Sequence, residues 1–337
     1  SGQNKDSSVR YARKALQPGY DMIEDFRKKK AMSDAKESAQ SAGEEFPDEW
    51  EILKKYYKDP PPLFLSPTTT QGLIRHANDL NSAGIGASLV YTGEVGDQLA
   101  HGETMTALIE SLSELYDLGE KEAKYTQGEE TRSQAVSGQP VSALFVGSPT
   151  WILYDEPTKK KFIISFMSKL ARRSWFCYVP EILEDPQFDP SDPKAAKKMI
   201  EYKRNIKSLA ATARQDIEVA INAIAEHNLS NVGSDIPVDE EVEDLFEMYL
   251  TYNHELSKSM PNPNSAAVLV RKHLQWKSLK LAGAFAIFDQ AESVTVDHYI
   301  AAIKFCEILS NDMSTFEGEL SKFDYEHFAN HSRTLEN

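Results

Sequence analysis

Short apolar segments alternate with amphipathic helices in the first half of the chain, and this alternation restricts the possible folds most strongly. The apolar segments are residues 63–65, 87–91, 141–146 and 175–179, and helical spacing of apolar residues separates them. Unbroken apolar strands of this kind are typical of parallel sheets that helices cover on both faces. We therefore expect an α/β domain with a mainly parallel sheet over residues 1–183.

A proline-rich segment, EDPQFDPSDP at residues 184–193, marks a change in this pattern. Three prolines in so short a stretch favour neither helix nor strand, and we find no convincing strand beyond it. Apolar residues recur there at helical spacing over residues 194–227, 238–259, 265–288 and 296–315. We predict a linker at residues 184–193 and an all-helical lid domain over residues 194–337.

The chain carries 37 basic and 52 acidic side chains, which gives a net charge of −15. A protein this acidic does not bind nucleic acid over its whole surface, although a local basic strip lining a ring channel remains compatible with it. Residues 235–255 contain eight carboxylates and no lysine or arginine, and we interpret them as a solvated helix face. Residues 27–60 are charged, and we interpret them as an exposed or mobile insertion.

The chain has two cysteines, Cys177 and Cys306, and no Cys/His cluster at zinc spacing. So few cysteines among 337 residues fit a reducing compartment. The longest apolar run near the C-terminus, residues 281–288, is too short to cross a bilayer. We expect a cytoplasmic protein, located in the host cytoplasm if a phage encodes it.

The first eight residues, SGQNKDSS, have the physical layout of a phosphate-binding loop but lack the full GxxxxGK[ST] motif. A short glycine-containing stretch leads to Lys5 at the start of a predicted helix, where backbone N–H groups and the helix N-terminus attract phosphate. Lys5 would contact the β- and γ-phosphates, and the hydroxyl of Ser7 or Ser8 would meet Mg²⁺. The alternative is a disordered terminus with a chance lysine.

Polar residues follow the second and third predicted strands, where a parallel sheet usually binds its ligand. Glu94 comes just after the second strand, and a carboxylate there would polarise an attacking water or hold a metal through water. Ser148 and Thr150 follow the third strand and would sense a γ-phosphate. The competing interpretations are a glutamate at a helix N-terminus and ordinary turn chemistry around Pro149.

Two adjacent arginines, Arg172 and Arg173, lie between a predicted helix and the fourth apolar segment. The planar guanidinium of arginine stabilises charge in phosphoryl transfer, and it can reach the nucleotide of a neighbouring subunit. A second basic group lies in the helix at 265–288 and consists of Arg271, Lys272, Lys277 and Lys280. Three of these would contact phosphate or nucleic acid. A solvated basic surface is the alternative for both groups.

These features follow one another in the order that an additional-strand P-loop ATPase requires, and the sequence resembles the ATPase part of phage and mobile-element primase-helicases. The motifs that carry the resemblance are SGQNKDSSVRYARKAL, PPLFL with TTTQG, LVYTGEVGD, ELYDLG, LFVGSPT and the helix at residues 269–286. The resemblance implies a RecA/AAA-like P-loop ATPase core with a mainly parallel sheet, followed by an all-helical C-terminal domain. It also implies an ATP site built from Gly2, Asn4, Lys5, Asp6, Ser7, Ser148 and Thr150.

The sequence departs from this family at two motifs. Asn4 stands where the loop usually has glycine, and Gly93-Glu94 stands where many ATPases have Asp-Glu. We expect Mg²⁺ at Ser7 and at Asp97, which lies three residues after Glu94. The departures leave open a degenerate ATPase.

The preferred hypothesis is an ATP-driven DNA helicase or translocase module of a phage or mobile-element replication protein. Nucleotide would lie between the subunits of a homo-oligomer such as a hexamer, with single-stranded DNA in the ring channel. Glu94 of one subunit and Arg172 or Arg173 of the next would be the catalytic groups. The alternatives are a catalytically degenerate ATPase-fold subunit with a structural or interaction role, and an unrelated α/β enzyme with a different site.

Overall fold

A computed structural model describes the chain as predominantly helical. It describes residues 2–43, 48, 51, 64–65, 69–82, 88–101, 104–116, 119–122, 135–138, 141–147, 149–178, 192–230 and 235–335. The elements follow in this order: α1 (Gly2–Ala42), β1 (Phe64–Leu65), α2 (Thr70–Ser82), β2 (Ser88–Thr92), α3 (Val95–His101), α4 (Thr104–Leu115), β3 (Val141–Phe145), α5 (Pro149–Tyr154), α6 (Glu156–Phe162), a π-helix (Ile163–Leu170), a 3-10 turn (Ala171–Arg173), α7 (Pro193–Ser230), α8 (Glu240–Ser259), α9 (Ala266–Lys272), α10 (Leu274–Phe288) and α11 (Val296–Leu335).

The chain forms two compact units, and each is assembled from separate segments. The first, which we call the helix-pair unit, comprises Ser1–Tyr57, Val179–Asp235 and Ile287–Ala291. The second, the sheet unit, comprises Lys58–Tyr178, Ile236–Ala286 and Glu292–Asn337. This division differs from the predicted boundary at residues 184–193, because α8, α9 and α11 belong to the same unit as the strands.

The sheet is small. Its three strands are parallel and lie in the order β1, β2, β3, with Phe64 opposite Leu89 and Ser88 opposite Val141. The strands contain 2, 5 and 5 residues. The expectation of a RecA/AAA-like P-loop ATPase core with a mainly parallel sheet was therefore wrong, because helices form most of the described residues and the sheet is limited to these short strands.

The fourth predicted strand, at residues 175–179, is also wrong for its described part, because residues 175–178 pair with no strand. The rings of Phe176 and Tyr178 instead pack against Phe316 of α11, with centroids 5.1 and 4.9 Å away. The apolar run thus reflects aromatic packing between a connecting segment and a helix. Val179 lies outside the described residues.

Most of the predicted helices are confirmed. The predictions at 194–227, 238–259 and 296–315 correspond to α7, α8 and α11, while the prediction at 265–288 is two helices divided at His273. Helix α1 extends from the predicted N-terminal helix through the first part of the charged insertion. Most of that insertion beyond residue 43 lies outside the described residues, as does the linker before Asp192.

Aromatic packing forms one part of the core of the sheet unit. Phe166 of the π-helix packs against Phe145 of β3 and Phe162 of α6, with centroids 5.1 and 4.9 Å away. Phe162 in turn lies 5.8 Å from Phe316. The buried Lys159 of α6 donates its Nζ to the carbonyl of Leu320 at 3.1 Å. These contacts hold α11 against the elements that follow the sheet.

The helix-pair unit consists mainly of α1 packed against α7. The guanidinium carbon of Arg214 in α7 lies 4.9 Å from the centroid of the Tyr11 ring in α1. One helical stretch further on, Gly19 of α1 lies against Ile221 and Ala225 of α7. Both contacts advance in the same direction along the chain, so the two helices run parallel. In the described ranges, no helix is both long enough and apolar enough to span a membrane.

We expect Gly19→Leu to lower the free energy of unfolding by about 1 to 3 kcal/mol, because it overpacks a closed contact. A Cβ at Gly19 would already lie 3.0 Å from Cγ2 of Ile221. The matched control is Gly318→Leu in α11, where no atom lies within 4 Å of an added Cβ, and we expect a gain of a few tenths to about 1 kcal/mol from helix propensity. Urea unfolding followed by circular dichroism measures both changes, and equal effects of the two variants would contradict the close α1–α7 contact.

Candidate functional site

The turns after β2 and β3 lie side by side at the carboxyl edge of the sheet. The N–H of Val146 donates to the carbonyl of Thr92 at 2.9 Å, and the N–H of Val95 donates to the carbonyl of Val146 at 3.0 Å. These bonds continue the ladder one step beyond the strands. They place the residues around Glu94 next to Val146 and Gly147.

Glu94 lies at the start of α3, and its side chain is exposed. Its carbonyl accepts the N–H of Gln98 at 3.2 Å, which begins the helix. Asp97 is exposed in the first turn of α3. Lys161 of α6 donates to the carbonyl of Leu99 at 2.8 Å, where a cation complements the C-terminal end of the helix. Helix α3 is thus held at both ends, with Glu94 just before its first turn and Asp97 within it.

The turn after β2 and the turn after β3 come so close together that position 147 must be glycine. A Cβ there would lie 2.7 Å from Cγ1 of Val95, closer than two carbon atoms can pack. Thr92, at the end of β2, is 1% exposed, and its hydroxyl has no hydrogen-bond partner among the described residues.

The remaining predicted nucleotide-binding residues lie in two places. Gly2, Asn4, Lys5, Asp6 and Ser7 lie in the first two turns of α1, within continuous helix and not in a loop. Thr150 lies in the first turn of α5, and Ser148 lies outside the described residues. Residues 2–7 belong to the helix-pair unit, whereas Glu94, Asp97, Ser148 and Thr150 belong to the sheet unit.

Arg172 and Arg173 lie in the 3-10 turn that follows the π-helix. Arg172 is exposed, and the Arg173 guanidinium lies 5.9 Å from the centroid of the Tyr116 ring. Lys280 of α10 lies 3.7 Å from the same centroid, so one tyrosine ring receives two cations. Cation–π contact of this kind stabilises the cations locally. Arg173 is therefore occupied within its own chain, and Arg172 is the more accessible of the pair.

Lys277 holds the turn that carries these arginines. Its Nζ donates to the carbonyls of Ala171 and Ser174 at 2.7 and 2.6 Å, and the side chain is 2% exposed. Burial lowers the pKa of Lys277 to about 7, and the nearby Cys306 offsets only part of this effect. Sequence reasoning placed Lys277 on a phosphate-binding surface, but the structure places it in the interior.

Arg271 is also an interior residue. It is 8% exposed, and its Nη1 donates to Glu307 at 2.5 Å and to Oδ1 of Asn253 at 3.2 Å. The hydroxyl of Tyr249 donates to the same carboxylate at 2.7 Å, and burial raises the pKa of Tyr249. This network joins α8, α9 and α11. Of the four predicted basic residues, Lys272 and Lys280 remain exposed.

A cavity of about 540 Å³ lies beside the short bridge between Lys121 and Val136. Its lining contains the three glutamates Glu114, Glu120 and Glu122. Lys121, the basic residue of the lining, is bonded to Glu114 and Ser111. Among the described lining residues carboxylates are in excess, and carboxylates repel phosphate.

No feature of the sequence indicated the supporting roles of Lys161, Lys277 or Thr92. Two of them are lysines, which usually lie on the surface, and a strand threonine gives no signal of its own. Within the described ranges, no three His, Cys, Asp or Glu side chains are grouped closely enough to hold a metal ion. Gly147 could have been found from its position directly after an apolar strand.

Comparison of the chain with known proteins found no relative. No protein-family model matches the chain, and neither a curated protein nor a solved structure matches it.

We expect Gly147→Ala to destabilise the sheet unit by about 1 to 3 kcal/mol, because the added methyl overlaps Val95. Combining it with Val95→Ala should relieve the overlap, so that the double variant loses at least about 0.5 kcal/mol less than the sum of the single variants. Urea unfolding of the four proteins gives this comparison. Additive losses would contradict the contact between the two turns.

We expect the free energy of unfolding to rise with pH between about 7 and 9.5 through the titration of Lys277. The unfolded chain keeps this proton up to its usual pKa of 10.5, whereas the folded chain releases it near 7. The unfolded state then binds more protons, and stability rises by up to about 1.4 kcal/mol per pH unit. Above about pH 10 the tyrosines act in the opposite direction, because burial raises the pKa of Tyr249 and Tyr299 in the folded state.

The measurement is urea unfolding at several pH values for the wild type and Lys277→Met. The variant should lose this part of the slope. Lys280→Met is the matched control, since Lys280 lies one turn away on α10 and is exposed, and its slope should equal that of the wild type. An unchanged slope in Lys277→Met would show that another group titrates.

Proposed function

We propose that the chain is a module of an ATP-driven DNA helicase or translocase from a phage or mobile-element replication protein. The carboxyl edge of the sheet supports this best, because it holds the turn with Glu94 against the segment that begins at Gly147. Ligands of open parallel sheets bind outside the carboxyl ends of the strands. The proposal does not require a RecA/AAA-like core, which the described residues do not form.

The predicted site residues would have separate roles in this function. Glu94 would orient the attacking water and accept its proton. In the helix-pair unit, Lys5 near the start of α1 would attract phosphate, because a helix N-terminus favours anions. In the sheet unit, Asp97 offers a carboxylate oxygen, and Mg²⁺ commonly binds through one or two carboxylates together with substrate phosphates. ATP–Mg²⁺ would supply the free energy for movement along DNA.

The proposed role of Arg172 and Arg173 requires more than one copy of the chain. Arg172, the more exposed of the pair, would reach the nucleotide of a neighbouring subunit, with Arg173 and Tyr116 supporting its turn. Subunits would form a homo-oligomer such as a hexamer, in the cytoplasm of the host, with single-stranded DNA in its channel. Because the chain has a net charge of −15, contacts to DNA would be confined to a local basic strip.

We expect Glu94→Gln to retain ATP binding and to lower the rate of hydrolysis by a factor of about 10² to 10⁴, the usual contribution of a general base. Amide and carboxylate have the same size, so the substitution removes the base and keeps the shape of the side chain. Hydrolysis is measured with and without single-stranded DNA, and ATP binding with a fluorescent analogue. Lys5→Ala should weaken ATP binding itself.

The control is Glu243→Gln in α8, an exposed glutamate outside the sheet edge, which should hydrolyse ATP as the wild type does. An equal loss in Glu243→Gln would remove the special role of Glu94. A wild type that binds ATP but never hydrolyses it would exclude a motor function for this chain.

A catalytically inactive structural or interaction subunit is the second candidate. Exposed apolar side chains on α7 support it, since Leu209 is 70% exposed and Ile217 is 50% exposed. Such side chains on a soluble helix usually mark a protein–protein contact. A wild type without ATP binding that still assembles would favour this candidate over the motor.

A further inference from the structure

Helix α7 carries an apolar stripe that stays exposed among the described residues of the helix-pair unit. The stripe, which we call the α7 stripe, consists of Ile206, Leu209, Ala213 and Ile217. Ile206 is 44% exposed, Leu209 70% and Ile217 50%, and Ala213 is exposed as well. The spacings of three, four and four residues place the four side chains on one face over about 17 Å of helix.

The contact with α1 uses a different face of α7. Gly19 meets Ile221 and Ala225, and Tyr11 meets Arg214. At 100° per residue, the centre of these contacts lies about 100° around the helix from the α7 stripe. Packing within the helix-pair unit therefore leaves the α7 stripe available for a further helix.

The charges of α7 are divided between its two halves. Residues 194–207 include one acidic residue, Glu201, and six exposed basic residues, Lys194, Lys197, Lys198, Lys203, Arg204 and Lys207. Residues 215–226 contain no lysine or arginine and three acidic residues, Asp216, Glu218 and Glu226. The apolar stripe lies across the boundary between these halves.

We infer that the α7 stripe pairs with the α7 stripe of a second copy of the chain, with the two helices antiparallel. In this arrangement Ile206 faces Ile217 of the other copy and Leu209 faces Ala213, so each stripe residue meets a stripe residue. The basic half of each helix then runs along the acidic half of the other, and Asp216 is the acidic residue that flanks the stripe. A parallel pair would instead bring the two basic halves together, with Lys198 and Lys203 flanking the stripe on both helices, which is unfavourable.

The pairing is isologous and closes as a dimer. The proposed function relies on a homo-oligomer, and this pairing would form one of its interfaces. The pairing involves neither nucleotide nor Glu94. A ring in which Arg172 reaches a neighbouring site would need a second, head-to-tail contact. Dimerisation without nucleotide and ATP hydrolysis therefore test the two proposals separately.

The first experiment measures the dissociation constant of the dimer by sedimentation equilibrium without nucleotide. Leu209→Asp should raise this constant by at least about 30-fold, the effect of losing a central interface residue. The matched control is Val219→Asp, because Val219 is 63% exposed on the same helix but lies about 120° from the stripe, and it should change the constant less than about 3-fold. Circular dichroism of both variants checks that α7 remains helical.

The second experiment determines the direction of the helices by disulfide cross-linking in a Cys177→Ser background, with one chain lengthened by a tag. A mixture of Ile206→Cys and Ile217→Cys chains should form the mixed dimer, and neither variant alone should cross-link with itself. Self-cross-linking of both variants without the mixed product would overturn the antiparallel arrangement.

Two further outcomes would overturn the pairing itself. One is a wild type that is monomeric at every concentration tested. The other is equal weakening of the dimer by Val219→Asp and Leu209→Asp. If the monomer instead binds a single-stranded oligonucleotide, and Lys203→Glu with Arg204→Glu abolishes that binding, the basic half of α7 contacts DNA and not a second copy.

Discussion

The packing of the sheet unit is centred on the ring of Phe316 in α11. The ring touches Phe162 of α6 and both Phe176 and Tyr178 of the segment that follows the 3-10 turn. Burial of aromatic rings contributes strongly to stability, and edge-to-face pairs add to it. Through this one side chain, the long helix α11 is packed against residues that precede it by more than a hundred positions. The helical C-terminal segments and the strands therefore share one core.

Buried basic side chains join the helices of the same unit. Lys159 donates to the carbonyl of Leu320, Lys277 to those of Ala171 and Ser174, and Arg271 to Glu307. A buried cation is costly unless hydrogen bonds satisfy it, and each of these has such partners. Removing one partner would leave a charge or a carbonyl unpaired, so these contacts specify how the helices meet. Lys277 also links this packing to Arg172, since it holds the turn from which that arginine projects.

The two units offer different chemistry. In the sheet unit, acidic residues lie at the carboxyl edge of a parallel sheet, a place where parallel sheets bind ligands. In the helix-pair unit, an amphipathic helix presents apolar and oppositely charged surfaces that suit association. A motor requires both properties, and an inactive assembly subunit requires only the second. Measurements of hydrolysis and of dimerisation therefore separate the two candidates.

The sequence by itself determined the local structure of most elements. Spacing of apolar residues located the helices of the C-terminal half, and apolar runs located β2 and β3 together with the polar turns after them. These features depend on neighbouring residues, so they can be recognised without the fold. That polar residues follow β2 and β3 at the same edge of the sheet also followed, because parallel strands end at one edge.

Only the tertiary structure decided which apolar and charged faces are covered. The run at 175–178 was expected to be a strand, yet its aromatic residues pack on Phe316, 138 positions or more away in the chain. The residues Ile206 and Leu209 of α7 follow the apolar spacing of a helix face and are exposed, whereas Lys277 was expected at the surface and is buried. An apolar run gives the same local signal whether a strand, a helix or a second chain covers it. Burial depends on contacts between distant segments, and the local pattern does not contain them.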